Sequence, residues 1–122
     1  MNRDAKVSDM IRLQREFDSR HASAGRRWND KINETNLNVL LELTVALAGE
    51  LGELANVAKS VARGDYTLES ARDRLSEELA DIFIYVLKLS DQLDIDLVSA
   101  FDKKLQVNAD RFRNYELPGS HG

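Results

Sequence analysis

GELGELANVAKSVARGDYTLESARDRLSEELAD, residues 49–81, carries two pairs of carboxylates, each pair three residues apart: Glu50 with Glu53, and Glu78 with Asp81. Residues three apart share one side of a helix. Around the first pair the chain is apolar, and at ~100° per residue Glu50 falls inside the arc of Leu47, Leu54, Val57 and Val61, with Glu53 at its edge. The second pair repeats this. Glu78 falls within the arc of Leu75, Ile82, Val86 and Leu93, and Asp81 lies at its margin beside Tyr85 and Lys88. The Gly64-Asp65 break separates the two, so the stretch predicts two amphipathic helices joined by a short turn.

Ionised carboxylates are rarely left in a helix's core stripe unless paired or bound to metal. No His or Cys stands near these four, so Glu50, Glu53, Glu78 and Asp81 make an all-oxygen set. Such a set suits Mg²⁺, with Mn²⁺ as a substitute, better than zinc. A single Glu-x-x-Glu is common on solvated helix faces. The specific signal is its repetition within the apolar stripe of two neighbouring helices. Glu77 is the contrast: it points ~100° away from Glu78 and reads as solvated.

The 122 residues suffice for one domain, placed at 1–115, with a flexible tail at 116–122. Leu, Ala, Glu, Lys and Arg abound beside one proline, which points to an all-α fold. A net charge of −4 argues against a nucleic-acid polymer as partner, which would require a basic field. The absence of cysteine excludes disulfides and thiolate metal sites. No run approaches the ~20 apolar residues of a membrane span and no apolar signal segment opens the chain, so no membrane association and a cytoplasmic location are expected.

A first helix is expected over residues 1–20, capped by Ser8 or Asp4, with Val7, Ile11, Leu13 and Phe17 as its stripe. Residues 21–36 lose the period and read as a loop or short irregular helix. There Trp28, the only tryptophan, is either a packing plug or a stacking wall for a planar ligand. His21, three after Asp18, reads as structural or solvent-facing. A long helix follows over 37–63, with Gly64 at the left-handed cap. The next spans 67–93, either continuous or preceded by a short helix over about 67–74. Its segment LADIFIYVLKL is apolar almost all round, so other helices or a second subunit must cover it. The last helix, about 97–114, is capped by Asp94 or Asp96 and placed antiparallel to its predecessor. Lys104, Asn108 and Arg111 share one of its faces: a solvated basic face or, opposite a metal cluster, a phosphate clamp.

The two acidic motifs together with this basic helix resemble the MazG-like nucleoside triphosphate pyrophosphohydrolases of the all-α NTP pyrophosphatase superfamily. The family pattern, Glu-x-x-Glu, a spacer, then Glu-x-x-Asp, reads here as Glu50-Leu-Gly-Glu53 and Glu78-Leu-Ala-Asp81, and residues 104–112 (KLQVNADRF) resemble its downstream signature. The resemblance implies a four-to-five-helix bundle around an antiparallel long-helix hairpin, completed as a homodimer or homotetramer. It further implies Mg²⁺-dependent cleavage of (d)NTP to monophosphate and pyrophosphate, in a house-cleaning role. Metal ligands would be Glu50, Glu53, Glu78 and Asp81. Glu53 and Glu50 are the candidate catalytic carboxylates, Glu53 being the one to orient or deprotonate the water. Lys104, Asn108, Arg111 and Tyr85, with Trp28 and Lys88, are the substrate-binding candidates. The family's frequent Pro and Asn ahead of the first motif are not evident; Glu42 stands near that place. The rival reading is a non-catalytic dimerisation module whose acidic residues form interhelical pairs. A di-iron bundle is set aside, because it requires Glu-x-x-His pairs that this chain lacks.

Overall fold

In the computed structural model, which describes residue 1 and residues 4–119, four helices carry the fold. The first, α1 (Val7–Ser19), starts at neither expected cap: Lys6 is the N-cap, and its backbone N–H donates to Asp9 Oδ2 at 3.1 Å. Residues 22–27 are not a short helix but a minimal β-hairpin. In it β1 (Ala22–Ser23) pairs antiparallel with β2 (Arg26–Arg27). Its two-residue loop has φ of 52° at Ala24 and 79° at Gly25, and positive φ at both positions matches the twist of a tight hairpin.

Helix α2 (Leu37–Ala62) ends as its Gly64 predicts. Gly64 adopts φ 85°, its N–H donates to Val61 O at 3.0 Å, and the Asp65 N–H reaches back to Ser60 O at 3.0 Å. This paired closure satisfies the last carbonyls and turns the chain sharply. Helix α3 (Leu68–Gln92) is continuous; Thr67 caps it by accepting the Ser70 N–H at 3.1 Å. Helix α4 (Leu97–Arg111) is capped by Asp96, which accepts from Ser99 N–H at 3.0 Å, and a single 3₁₀ turn (Arg113–Tyr115) follows.

The α2–α3 hairpin is the frame, and α1 packs against α3. Among the described residues Val39, Leu43, Val57, Ala71 and Leu87 are the buried apolar ones. Gln92, 1% exposed, pins the loop ahead of α2: its Nε2 donates to Trp28 O at 3.1 Å and its backbone carbonyl accepts from Ile32 N–H at 2.9 Å. No residue of α4 is buried, and Phe101 stays 66% exposed. Leu41 and Val45 of α2 and Leu79 and Phe83 of α3 are exposed as well. The over-apolar third helix therefore remains partly uncovered in the single chain. The tail expected at 116–122 falls partly on residues 120–122, outside the described residues.

Candidate metal and active site

Because α3 runs back along α2, the two acidic motifs meet. One oxygen each from Glu50, Glu78 and Asp81 lies within 4.8 Å of the others. Their burial follows the helical arcs: Glu78 is 8% exposed and Glu50 half-buried, while Asp81, Glu53 and the contrast residue Glu77 are exposed. Among the described residues no Lys, Arg or His pairs with Glu50, Glu78 or Asp81. Glu50 Oε2 and Glu78 Oε2 are buried with no hydrogen-bond partner.

Electrostatics marks the same spot. Partial burial raises the Glu50 pKa above its ordinary range, and the charges of Glu53 and Asp81 push the same way. Burial likewise raises Glu78, reinforced by Glu53 and then Glu50. Glu53 is thus felt at the cluster although its carboxylate stands outside the three-oxygen set. Converging carboxylates without a donor lower their free energy by holding protons or by binding a cation. Orphaned buried oxygens in an all-carboxylate set fit a hard divalent ion.

Beside the cluster a cavity of about 370 Å³ is lined by Glu50, Asp81, Tyr85, Lys88, Asp18 and Trp28, among others. Trp28 is held on several sides. Its ring stacks on His21 at 4.8 Å, which stacks on Phe17 at 4.5 Å. Its Nε1 donates to Ser23 Oγ at 2.9 Å and its backbone N–H to His21 O at 3.0 Å. Trp28 is therefore packed as a plug, and it also lines the cavity. His21 has a structural place in this stack, its Nδ1–H donating to Phe17 O at 2.7 Å. The Lys88 ammonium lies 5.6 Å from the Trp28 ring centre and 3.3 Å from Asp18 Oδ2.

Of the sequence-predicted site residues, the fold gathers Glu50, Glu78, Asp81, Tyr85, Trp28 and Lys88. It does not bring Lys104, Asn108 or Arg111 to this cavity. Lys104 is exposed, Asn108 half-buried, and the Arg111 guanidinium lies 4.9 Å over the Phe112 ring. Asp18, 2% exposed, lines the cavity and was not among the sequence-predicted site residues. Its partner Lys88 is distant in sequence; the legible signal was Gln14 four residues before it, whose Nε2 donates to Asp18 Oδ1 at 3.0 Å.

A family model, the MazG nucleotide pyrophosphohydrolase domain, matches residues 39–112, which hold both acidic motifs and all of α4. The chain belongs to this MazG family. It is 41% identical over 75 residues to the Gene 37 protein of Mycobacterium phage L5, covering 57% of this chain and 65% of that protein. It is 33% identical over 110 residues to dCTP pyrophosphatase 1 of Homo sapiens, covering 87% of this chain and 58% of that protein. The Rattus norvegicus dCTP pyrophosphatase 1 is 33% identical over 118 residues, covering 93% and 63%. The chain thus spans less than two thirds of the length of these curated relatives. The MazG match begins at Val39, so α1, the β-hairpin and Trp28 stand outside it.

Proposed function

We propose that this MazG-family chain is a Mg²⁺-dependent pyrophosphohydrolase that cleaves (d)NTP to (d)NMP and pyrophosphate, keeping the cytoplasmic nucleotide pool clean. The observation that carries the reading is the convergence of Glu50, Glu78 and Asp81, with two buried oxygens left unpartnered, at the edge of a Trp28-walled cavity. The interhelical-pair reading lacks its pairs, since no described cation reaches these three carboxylates. The dCTP pyrophosphatase relatives make dCTP the first substrate to try.

Glu50, Glu78 and Asp81 would hold the ion, with Glu53 beside them. When bound, a divalent cation neutralises the phosphate oxygens and makes a nearby water more acidic. Glu53, exposed at the rim, accepts the water's proton as its oxygen attacks the α-phosphorus, and the bond to the bridging oxygen breaks to release pyrophosphate. Glu50 orients that water from the buried side. Trp28 stacks on the base, and Tyr85 and Lys88 line its path. Lys104, Asn108 and Arg111 hold phosphate oxygens from a second copy, and the exposed apolar faces of α2, α3 and α4 support a homodimer or homotetramer.

Pyrophosphate release from dCTP with Mg²⁺ tests the reading. Glu50→Gln or Asp81→Asn is expected to lower it at least about 100-fold, since even outer-shell changes cost 10–100-fold. Full Mg²⁺-dependent release by either variant would overturn it.

A further inference from the structure

The groove between α2 and α3 holds a second cavity, on the far side of the carboxylates from Trp28. Ordered from the turn outward, α2 carries Ser60, Asn56, Glu53 and Glu50, while α3 carries Ser70, Arg74, Glu78 and Asp81. The cavity, about 280 Å³, lies over the buried Val57 and Ala71 and is lined by polar side chains, Arg74 among them. Arg74 stands four residues before Glu78, ~6 Å along the axis, and Asn56 three after Glu53, ~4.5 Å. The cavity therefore begins about one helical turn from the carboxylate cluster.

The two cavities that flank the cluster differ in charge. The Trp28 cavity is lined by Asp18, Glu50 and Asp81 against one cation, Lys88, which is paired with Asp18 at 3.3 Å. No acidic residue lines the other, and its single charge is the Arg74 guanidinium. Of the three arginines near the turn, Arg63 is tied to Asp65 at 2.9 Å and Arg72 to Glu69 at 3.1 Å. Arg74 makes no ion pair or hydrogen bond among the described residues, although Glu78 stands at the i, i+4 spacing at which helical pairs form. Beside it the Asn56 amide and the Ser60 and Tyr66 hydroxyls have hydrogens to donate, whereas the Ser70 hydroxyl gives its own to Thr67 O at 2.9 Å. A free guanidinium among neutral donors suits phosphate oxygens, which the planar fork can meet two at a time.

A nucleotide stacked on Trp28, with its α-phosphate beside the carboxylate cluster, has two directions along the groove for the rest of its phosphate chain. Back toward Trp28 the chain meets three carboxylates. Toward the turn it meets Arg74. We infer that the Arg74 cavity is the subsite for the β- and γ-phosphates of the substrate, and for the pyrophosphate they become. This rests on the nucleotide-hydrolase reading above and deepens it. Arg74 is a substrate-binding residue supplied by the same chain that supplies the carboxylates, and it acts independently of α4.

The test uses dCTP as substrate, with dCMP and inorganic pyrophosphate as inhibitors, all in the presence of Mg²⁺. Arg74 is exposed, so Arg74→Gln should fold as the wild type does. It is expected to lower kcat/KM for dCTP and to weaken inhibition by pyrophosphate, each by about ten- to hundredfold, the range for hydrogen bonds to a charged group. Inhibition by dCMP, which has no β- or γ-phosphate, should stay within about threefold of the wild type. Arg72→Gln removes an equal charge from the same helix outside the cavity, and it should leave pyrophosphate inhibition within about threefold as well. Unchanged pyrophosphate inhibition in Arg74→Gln, or an equal loss with dCMP or in Arg72→Gln, would overturn the inference while leaving the hydrolase intact. Hydrolysis of no nucleotide at all would instead sink the hydrolase. Calorimetric titration with Mg²⁺ and pyrophosphate reads the same subsite without turnover. The wild type should bind at least about tenfold more tightly than Arg74→Gln, and equal or absent binding contradicts the assignment.

Discussion

Helix α3 buries two carboxylates to nearly the same extent, Glu78 at 8% and Asp91 at 9% exposure, and treats them in opposite ways. Asp91 is met by Arg15 of α1, with Nε–Oδ1 at 2.8 Å and Nη2–Oδ1 at 2.6 Å, and by Lys31 at 3.6 Å. Lys31 also donates to the Asp91 carbonyl at 2.7 Å and reaches Asp94 at 2.9 Å. The hydrogen bond to Asp91 raises the Arg15 pKa, as expected of a cation whose charged form is favoured. Glu78 has no such partner; its neighbours are Glu50, Glu53 and Asp81, and its pKa rises. One buried carboxylate fastens α1 and the loop to α3. The other has no cation beside it among the described residues, and under the proposed function that difference separates a group that serves the fold from one kept for a ligand.

The comparison can be broken most forcefully at Glu78. Glu78→Gln should cut Mg²⁺-dependent pyrophosphate release at least about 100-fold. Without metal the same variant should melt at a higher temperature than wild type, because it removes a repelled charge. A variant that melts lower and stays active would reverse the assignment.

Asp91→Asn should do the converse. Loss of a hydrogen-bonded ion pair whose cations are half-exposed is expected to cost about 1–3 kcal/mol in urea unfolding. Activity should persist wherever the protein stays folded. A change under 0.5 kcal/mol, about what a featureless surface position gives, would remove Asp91 from the structural class.

The effect of pH sharpens the contrast. Glu50 and Glu78 ionise less readily in the fold than in the unfolded chain. Their contribution to metal-free stability is therefore full below the ordinary value of 4.5 and is lost as pH rises through their raised values. A divalent ion needs both groups ionised, and binding only the native state raises Tm. The Mg²⁺-induced rise in Tm should accordingly be small near pH 5 and larger near pH 7.5. A rise that is flat with pH would show that these carboxylates do not take up the ion. The smallest effect is expected at Glu77, exposed one residue from Glu78: Glu77→Gln should alter stability by less than about 0.5 kcal/mol and leave activity unchanged.

Much of the hairpin was legible because helical periodicity is a local property. The arcs drawn at ~100° per residue ranked Glu78 and Glu50 inside, Glu53 and Asp81 at the margin, and Glu77 outside, and the burial sets the first two apart from the other three, which are all exposed. Gly64 at the left-handed cap was equally local. The Ala22–Arg27 hairpin was not legible, because strands of two residues are too short to show alternation. Nor was the ion pair of Asp18. Its partner Lys88 lies on another helix, and only packing brings the two to 3.3 Å. The basic face of α4 was legible as a face, but not its distance from the carboxylates. The sequence shows which residues share a side of a helix, whereas the single chain leaves that helix without a buried residue.

The account stands on the idea that three unpartnered carboxylates are arranged for a divalent ion. The most direct test is uptake of Mn²⁺, followed by the loss of its free-ion spin-resonance signal, in the wild type beside Asp81→Asn and Glu78→Gln at neutral pH. The wild type should bind the ion, and both variants, still folded, should bind it at least about tenfold more weakly. Equal uptake by all three proteins, or none by the folded wild type, would contradict the account.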